Sequence, residues 1–391
     1  MSSYARHFLT RRRFLVGLSI GAALPLLAAC GGGATPTVAP SVAAPQATKP
    51  AVAATLAPAP PSASVAATTV PAAAGAATPA PATAAGAAPA KPAGQGGAVA
   101  PDLRLGFQPP YVSVFVMQKQ KLLEEEFKGD KINIEYRKLL SPTPIYEALT
   151  GNSLDIGMGG PPVAALASGQ PFRIIALTER SPKTHALLVT PDSPIKEIGQ
   201  LKGKKLATPL GKAYAFPLRV LEKAQLKDTD VTWLTIDNTE GRSSLLTGAI
   251  DVWGTWDPFY AGVEFDKQAR KLIDGDPFYP NYVTMFARAD YVDKYPETIK
   301  RFLRTYNKAL TWVKANRNDA LAIFTEENKF KPEVAELTWN RRNYLLSAPN
   351  DEFIADVTEQ GKTFLRLGVT KAEPNWSTAI DTSLARAALG M

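Results

Sequence analysis

The feature that most limits how this chain can fold is a break in composition near residue 100. Residues 31–100 contain no aromatic residue and no Asp or Glu, and Lys49 and Lys91 are their only charges. The remainder is mostly Ala, Pro, Thr, Gly and Val. Such a segment buries too little large apolar surface to offset its chain entropy. We therefore predict a disordered Ala/Pro/Thr linker at 31–100 and a folded domain at 101–391, long enough for two lobes of roughly 100 to 150 residues each.

Charge and reactive residue types narrow the function classes. Six of the 44 Lys and Arg residues, and none of the 36 acidic residues, lie in the first 100 positions. The folded part is therefore almost neutral, which gives no electrostatic case for nucleic-acid binding. The chain has two histidines, His7 and His185, and one cysteine, Cys30. This composition excludes disulfides and Cys/His zinc sites and disfavours Cys–His catalysis, so we expect no catalytic residue, metal or cofactor.

The first thirty residues have the pattern of an export signal. TRRRFLVGLSIGAALPLLAAC combines a basic start with an apolar run at 14–29, which is too short to span a bilayer comfortably. Residues 10–15 resemble a twin-arginine export motif, and residues 27–30 resemble a bacterial lipobox. The resemblance implies a signal at 1–30, with Cys30 as the lipidated first residue of the mature protein. In the alternative, Cys30 is an incidental residue of an uncleaved anchor. Both alternatives place the body outside the cytoplasm and attached to the membrane, on a linker that spans roughly 45 Å.

Short apolar runs alternate with amphipathic stretches from residue 103 onward. The runs predict strands at 103–108, 132–136, 172–178, 185–190, 205–209, 231–236 and 251–255. Helical spacing appears between them at 113–127 and 215–226. This order indicates an α/β fold with a mostly parallel sheet covered by helices on both faces. After about residue 290 the pattern is helical, including PEVAELTWNRRNYLL, and predicts a cover without chemistry.

One strand-to-helix turn occurs twice. Residues 149–162 and 246–259 share Leu-Thr-Gly, then an Asp, then an apolar residue, then a loop that contains Pro. Gly151 and Gly248 suit the left-handed end of a helix. Because ligands bind beyond the carboxyl ends of strands in open α/β sheets, two such turns facing each other predict a cleft. A third turn at 211–214 would offer unpaired N–H groups to an anion, and Lys212 would add a full charge or would lie on the solvated surface.

These residues resemble a known family. LRLGFQ, LKGKKLATPLG and GAIDVWGTWDPFYAG are similar to segments of bacterial ABC-importer solute-binding proteins for aliphatic sulfonates and of the wider nitrate, taurine and thiamine-precursor-binding group. The resemblance covers nearly all of 101–391. It implies a two-lobed, type II periplasmic-binding-protein-like fold with a helical C-terminal cover, acting as a monomer that delivers a small solute to an ABC permease. Lobe 1 would comprise about 101–188 and 276–391, and lobe 2 about 189–275.

The resemblance also implies which residues line the cleft. Taken position by position, the ligand-binding residues are Gln108, Tyr111, Gly159, Gly160, Lys212, Ala213, Tyr214, Trp256 and Asp257. Asp257 precedes Pro258 and would either contact the ligand or cap the following helix. Trp253 should lie on the opposite face of the strand from Trp256 and pack in the core.

The predicted ligand is a small organic anion resembling an aliphatic sulfonate. Sulfonate binders usually carry Ser or Thr where this chain has 212–214, so a ring compound, such as a thiamine pyrimidine precursor or riboflavin, is the alternative ligand. An enzyme on the same fold is a further alternative, against which the export signal and the cysteine content argue. A surface adhesin or scaffold would fit the long linker but not the paired turns.

Overall fold

The computed structural model describes residues 98–391. The predicted signal at 1–30, with Cys30, and the predicted linker as far as residue 97 lie outside the described residues. Ala100 is buried, and its N–H donates to Thr298 Oγ1 at 3.0 Å. Packed structure is thus already present at residue 100, one position before the predicted start of the folded domain. Within 98–391, no helix has both the length and the apolar character needed to cross a membrane.

Strands and helices alternate through the first two thirds of this region. The strands are β1 (Asp102–Phe107), β2 (Asn133–Lys138), β3 (Ile156–Gly159), β4 (Phe172–Arg180), β5 (His185–Val189), β6 (Lys205–Thr208), β7 (Thr232–Thr235), β8 (Val252–Trp256), β9 (Arg270–Asp274), β10 (Tyr282–Arg288) and β11 (Tyr344–Ser347). The helices are α1 (Val112–Lys119), α2 (Leu122–Glu126), α3 (Pro142–Thr150), α4 (Val163–Ala167), α5 (Ala215–Lys223), α6 (Asn238–Leu246), α7 (Phe259–Phe265), α8 (Ala289–Lys294), α9 (Pro296–Ala315), α10 (Arg317–Asn328), α11 (Pro332–Asn340), α12 (Asp351–Arg366), α13 (Trp376–Ala379) and α14 (Ser383–Leu389).

Two sheets form the two lobes, and both have the same strand order. Lobe 1 has the order β2-β1-β3-β10-β4, with β11 added at the edge, and lobe 2 has the order β7-β6-β8-β5-β9. In each sheet the strand that enters from the other lobe, β10 or β5, is antiparallel to both of its neighbours. The sheets are therefore mixed rather than mostly parallel. The sequence pattern predicted neither β10 nor β9, which complete this arrangement.

The chain crosses between the lobes twice, at 181–184 and at 275–281, and the two crossings are hydrogen-bonded to each other. Ser181 N donates to Asn281 O at 3.1 Å, and Asn281 Nδ2 donates to Thr184 Oγ1 at 2.7 Å. Because β5 already belongs to the second sheet, the first crossing lies a few residues before the predicted lobe boundary at 188. The hinge is thus a pair of short, interlinked segments.

The C-terminal part is mainly helical, with one exception. The segment PEVAELTWNRRNYLL, predicted as one helix, divides into α11 and the strand β11. The strand forms because Tyr344 and Ser347 pair with the open edge of β4, which satisfies backbone groups that a helix end would leave unpaired. The bend between the two elements places Arg341 and Arg342 between the lobes.

The first copy of the repeated turn differs from its prediction at the helix end. Asn152 has the left-handed conformation (φ 57°) that was predicted for Gly151, and Gly151 does not (φ −80°).

Candidate functional site

A cavity of about 750 Å³ lies between the two lobes, and both lobes contribute to its walls. Lobe 1 supplies Gln108, Tyr111 and Tyr146, while lobe 2 supplies Tyr214 and Trp256. The walls are mainly apolar and aromatic, and the polar side chains among them include Glu147, Gln360 and Arg342. A cavity of this size and character suits a small organic molecule.

Six of the nine predicted ligand-binding residues line this cavity. They are Gln108, Tyr111, Gly160, Ala213, Tyr214 and Trp256. Gly159, Lys212 and Asp257 are not part of the lining. Each of these three side chains or backbone groups has other contacts that account for its position.

Gln108 follows β1 and is 5 % exposed. Its Oε1 accepts a hydrogen bond from the Tyr111 hydroxyl at 3.2 Å. The amide oxygen is therefore occupied, and the amide NH₂ is the group that remains for a solute. Gln108 thus presents a donor at the carboxyl end of a strand.

The turn after β3 offers space rather than hydrogen-bond donors. Gly159 is still part of the strand, and its carbonyl accepts from Thr284 Oγ1 at 3.1 Å. Gly160 borders the cavity, and a Cβ placed on it would meet no atom within 4 Å. Pro161 and Pro162 have no N–H, and Val163 N already donates to Pro161 O. This turn therefore provides few backbone N–H donors for the predicted anion.

The turn at 211–214 is a single 3₁₀ turn followed by α5. Ala213 N donates to Leu210 O at 2.9 Å, so this donor is used within the turn. Lys212 Nζ donates to Asp228 Oδ2 at 2.6 Å and points away from the cavity lining. The structure thus places Lys212, predicted to bind the ligand, in an ion pair of lobe 2.

The two tryptophans of β8 lie in different hydrophobic clusters. Trp253 is fully buried in the core of lobe 2 with Leu245 and Tyr260. Trp256, three residues later, borders the cavity, and its ring centroid is 5.4 Å from that of Tyr214. The strand alternation that separates the two side chains also brings Trp256 to the carboxyl end of β8.

Asp257 is completely buried behind the cavity wall. Its Oδ1 accepts from Ala261 N in the first turn of α7 and from Arg341 Nη1, each at 3.0 Å. No described residue hydrogen-bonds to its Oδ2. Burial raises the pKa of Asp257 to about 7, although the nearby guanidinium groups of Arg341 and Arg342 oppose this shift. Asp257 thus hydrogen-bonds to the first turn of α7, whose N-cap is Pro258, and it is not among the residues that line the cavity.

Arg342 is a cavity residue that sequence reasoning did not identify. Its Nη1 donates to Glu179 Oε2 at 2.6 Å, and the two side chains are 4 % and 1 % exposed. Glu179 also accepts from Ser181 Oγ at 3.0 Å, beside the hinge. Arg342 borders the cavity while Glu179 lies behind it. The prediction of a cover without chemistry missed this residue because NRRNYLL has no helix stop that would separate it from α11.

His185 was also missed, although it is one of two histidines in the chain and opens β5. It lines the cavity, and its Nδ1 contacts the Tyr214 hydroxyl. The imidazole also lies within 6.0 Å, between ring centroids, of Phe216, Trp256 and Tyr279. Burial, together with the Arg342 charge, lowers the pKa of His185 to about 3. The imidazole is therefore neutral at physiological pH.

Ion pairs join the lobes at the edge of the cavity. Arg219 of α5 donates to Asp356 of α12 at 3.1 Å, and Arg366 donates to Glu222 at 3.0 Å. Helix α12 also provides Gln360 and Phe364 to the cavity lining. The C-terminal region therefore bridges the two lobes as well as covering lobe 1.

The donor groups and apolar walls define what this site can do chemically. Within residues 98–391, no group of His, Cys, Asp and Glu side chains is arranged to hold a metal ion. Gln108 and Arg342 are hydrogen-bond donors beside an aromatic wall. This combination suits a molecule with an acceptor head group and an apolar body.

Comparison with known proteins agrees with this geometry. Residues 127–320 match the family described as NMT1/THI5 like. The matched residues of the NMT1/THI5-like region include both hinge crossings and all of lobe 2.

Several proteins that are similar to this chain are named for sulfonate binding. The chain is 24 % identical over 294 residues to a "Putative aliphatic sulfonates-binding protein" of Bacillus subtilis, covering 74 % of this chain and 88 % of that protein. The structure is similar to that of the "periplasmic aliphatic sulphonate binding protein SsuA" of Escherichia coli, with 24 % identity, a TM-score of 0.66 and coverage of 73 % and 98 %. It is also similar to the "alkanesulfonate-binding protein SsuA" of Xanthomonas axonopodis pv. citri bound to MOPS, with 24 % identity, a TM-score of 0.69 and coverage of 73 % and 99 %. The fold is therefore that of the periplasmic binding proteins.

Proposed function

We propose that this chain is the solute-binding component of an ABC importer and that it captures a small organic anion resembling a sulfonate. The observation that carries the proposal is the position of Arg342, whose guanidinium borders a mainly apolar cavity between the two lobes. A guanidinium has five N–H donors, and Glu179 takes one of them. The remaining edge suits the oxygen atoms of an acidic head group.

The cavity walls suit the body of such a solute. Tyr214, Trp256 and Tyr279 form an aromatic surface from the lobe 2 side and the hinge. Burying an alkyl or ring group against aromatic side chains stabilises the complex through removal of apolar surface from water. The names of the relatives support a sulfonate as the head group.

Capture would proceed by hinge closure. The crossings at 181–184 and 275–281 are short, and closing the lobes over them would bury a solute on all sides. In the proposed pathway, a permease in the membrane accepts the closed complex. The protein would work outside the cytoplasm as a lipid-anchored monomer held at Cys30.

A ring compound is the second candidate ligand. The number of aromatic groups around His185, and the absence of Ser and Thr at 212–214, favour a pyrimidine or a flavin over a short alkanesulfonate. A catalytic role has less support, because the relatives named above are binding proteins.

Calorimetric titration of the purified protein tests the proposal. We expect MOPS or an alkanesulfonate to bind, and small-angle scattering to show a smaller radius of gyration in the complex. Tight binding of riboflavin or a pyrimidine, with no heat from any sulfonate, would support the second candidate instead. Turnover of a bound compound would contradict both.

A further inference from the structure

The imidazole of His185 is the polar group of the cavity whose role is least obvious. It is surrounded by four rings, those of Tyr214, Phe216, Trp256 and Tyr279. A phenyl ring would pack among these four rings equally well. The polarity of the imidazole therefore needs an explanation of its own.

The Tyr214 hydroxyl determines which nitrogen of His185 carries the hydrogen. This hydroxyl contacts His185 Nδ1, and its other neighbour is the Thr255 carbonyl at 3.4 Å, near the limit for a hydrogen bond. A phenol has one hydrogen, so it donates either to Nδ1 or to the Thr255 carbonyl. If it donates to Nδ1, the neutral imidazole carries its hydrogen on Nε2; if it donates to Thr255 O, Nδ1–H donates to the phenol oxygen.

Nε2 has no hydrogen-bond partner among residues 98–391, whereas Nδ1 contacts the Tyr214 hydroxyl. His185 borders the cavity, so this edge is available to a solute. With its hydrogen on Nε2, the neutral imidazole can donate a hydrogen bond at this edge but cannot accept one. It therefore discriminates between solute groups by their hydrogen-bonding character.

We infer that Tyr214 donates to Nδ1 and that His185 is therefore a fixed hydrogen-bond donor at Nε2, which selects solutes whose bound group only accepts hydrogen bonds, such as a sulfonate or carboxylate oxygen. This inference rests on the proposed function and assigns specificity to a residue of the same cavity. Gln108 and Arg342 are other donor side chains of the same cavity. Groups that donate, such as an amine or amide NH₂, are disfavoured because they would face a donor.

Nuclear magnetic resonance of the imidazole tests the first step without any ligand. In the full chain labelled with ¹⁵N-histidine, His7 and His185 give two sets of signals, and the set that disappears in His185→Phe belongs to His185. We expect an unprotonated Nδ1 and a protonated Nε2 between pH 5 and 8. In Tyr214→Phe we expect a mixture of the two neutral forms. A protonated Nδ1 in the wild-type protein would overturn the inference.

Titration with two probes, MOPS and 1-hexanesulfonate, tests the second step. His185→Phe keeps the ring but removes the donor, and we expect affinity to fall about tenfold or more, as for a hydrogen bond to a charged group. His185→Gln retains an amide N–H at a similar depth and should stay within about threefold of wild type. Equal affinity of His185→Phe and wild type for both probes would overturn the inference while leaving the proposed function intact. If the wild-type protein binds neither probe, the proposed ligand class fails, and the inference fails with it.

Discussion

Arg341 and Arg342 are adjacent in the chain, yet their guanidinium groups pair with carboxylates of opposite lobes. Arg341 donates to Asp257 of lobe 2 at 3.0 Å, and Arg342 donates to Glu179 of lobe 1 at 2.6 Å. Both pairs are largely buried. The short link between α11 and β11 therefore connects the hinge, the cavity and the cover.

Replacing Glu179 by Gln should separate stability from ligand affinity. The change leaves the buried Arg342 charge without its partner, which should lower the free energy of unfolding by about 3 to 5 kcal/mol. An anionic solute would then be the main partner of Arg342, so MOPS should raise the melting temperature more than it does in wild type. Urea unfolding and thermal shift measure the two effects. A smaller MOPS-induced shift in Glu179→Gln would argue against contact between Arg342 and the anion.

A side chain at residue 160 should block the cavity without harming the fold. A Cβ on Gly160 meets no atom within 4 Å, and the residue borders the cavity. We expect Gly160→Leu to weaken MOPS binding about tenfold or more, because the leucine competes for the space of the ligand. Gly129, exposed and equally unobstructed, provides the control Gly129→Leu. Unchanged affinity in Gly160→Leu would show that the ligand occupies another part of the cavity.

The ion pair between Arg219 and Asp356 should strengthen ligand binding by holding the lobes together. Asp356→Asn removes an inter-lobe pair, and we expect affinity for MOPS to fall about two- to fivefold. Glu352, on the same helix, pairs with Arg180 within lobe 1. Glu352→Gln is therefore the matched control and should bind as wild type does. Equal effects of the two variants in calorimetry would contradict a role in closure.

Asp257 should make stability depend on pH. Its pKa is raised to about 7 from an ordinary value of 3.8, so the folded state binds a proton between about pH 4 and 7 that the unfolded state lacks. Its contribution to stability is therefore greatest at low pH and is lost as the pH rises through 7. We expect the free energy of unfolding of wild type, relative to Asp257→Asn, to fall between pH 5 and pH 8.

Asp266 provides the control for this pH series. Hydrogen bonds from Lys331 and Arg242 lower the pKa of Asp266, which therefore stays ionised from pH 5 to pH 8. The difference between wild type and Asp266→Asn should be constant over that range. Urea titrations at several pH values measure both series, and a constant difference for Asp257→Asn would contradict the assigned pKa direction.

Substitution of Trp253 should affect stability, whereas substitution of Trp256 should affect the fluorescence response to ligand. Trp256 borders the cavity, so Trp256→Phe should remove most of the fluorescence change on ligand binding. Trp253 is fully buried, and Trp253→Phe should lower the free energy of unfolding by about 1 to 3 kcal/mol while keeping the fluorescence response. Emission spectra with and without MOPS provide the measurement. A response lost in Trp253→Phe and kept in Trp256→Phe would reverse the assignment.

Local patterns predicted the elements that depend on neighbouring residues. The strand β8 and the helix start after Asp257 follow from alternation and from the Asp-Pro sequence. Their contacts with distant parts of the chain did not follow from the same patterns. Asp257 lies behind the wall because Arg341, 84 positions later, covers it. In the same way, β11 becomes a strand only because β4 offers it an edge.

His185 and Arg342 were not predicted as cavity residues for the same reason, because their partners are distant in the sequence. His185 and Tyr214 are 29 positions apart, and Glu179 and Arg342 are 163 apart. A single sequence shows each of these residue types but not their pairing. Lys212 illustrates the reverse error, because its pairing with Asp228, 16 positions later, removes it from the site that its local sequence suggested.

The two crossings also determine the order in which the parts of the molecule can be completed during synthesis. Lobe 2 is one continuous segment, 185–274, inserted between two portions of lobe 1. Lobe 1 cannot close its sheet until β10 emerges, because this strand lies between β3 and β4. A nascent chain therefore contains every strand of lobe 2 while lobe 1 still lacks a central strand. Lobe 2 is the part that can fold first at the ribosome, and truncation after residue 281 would leave it complete beside an open, unfinished partner.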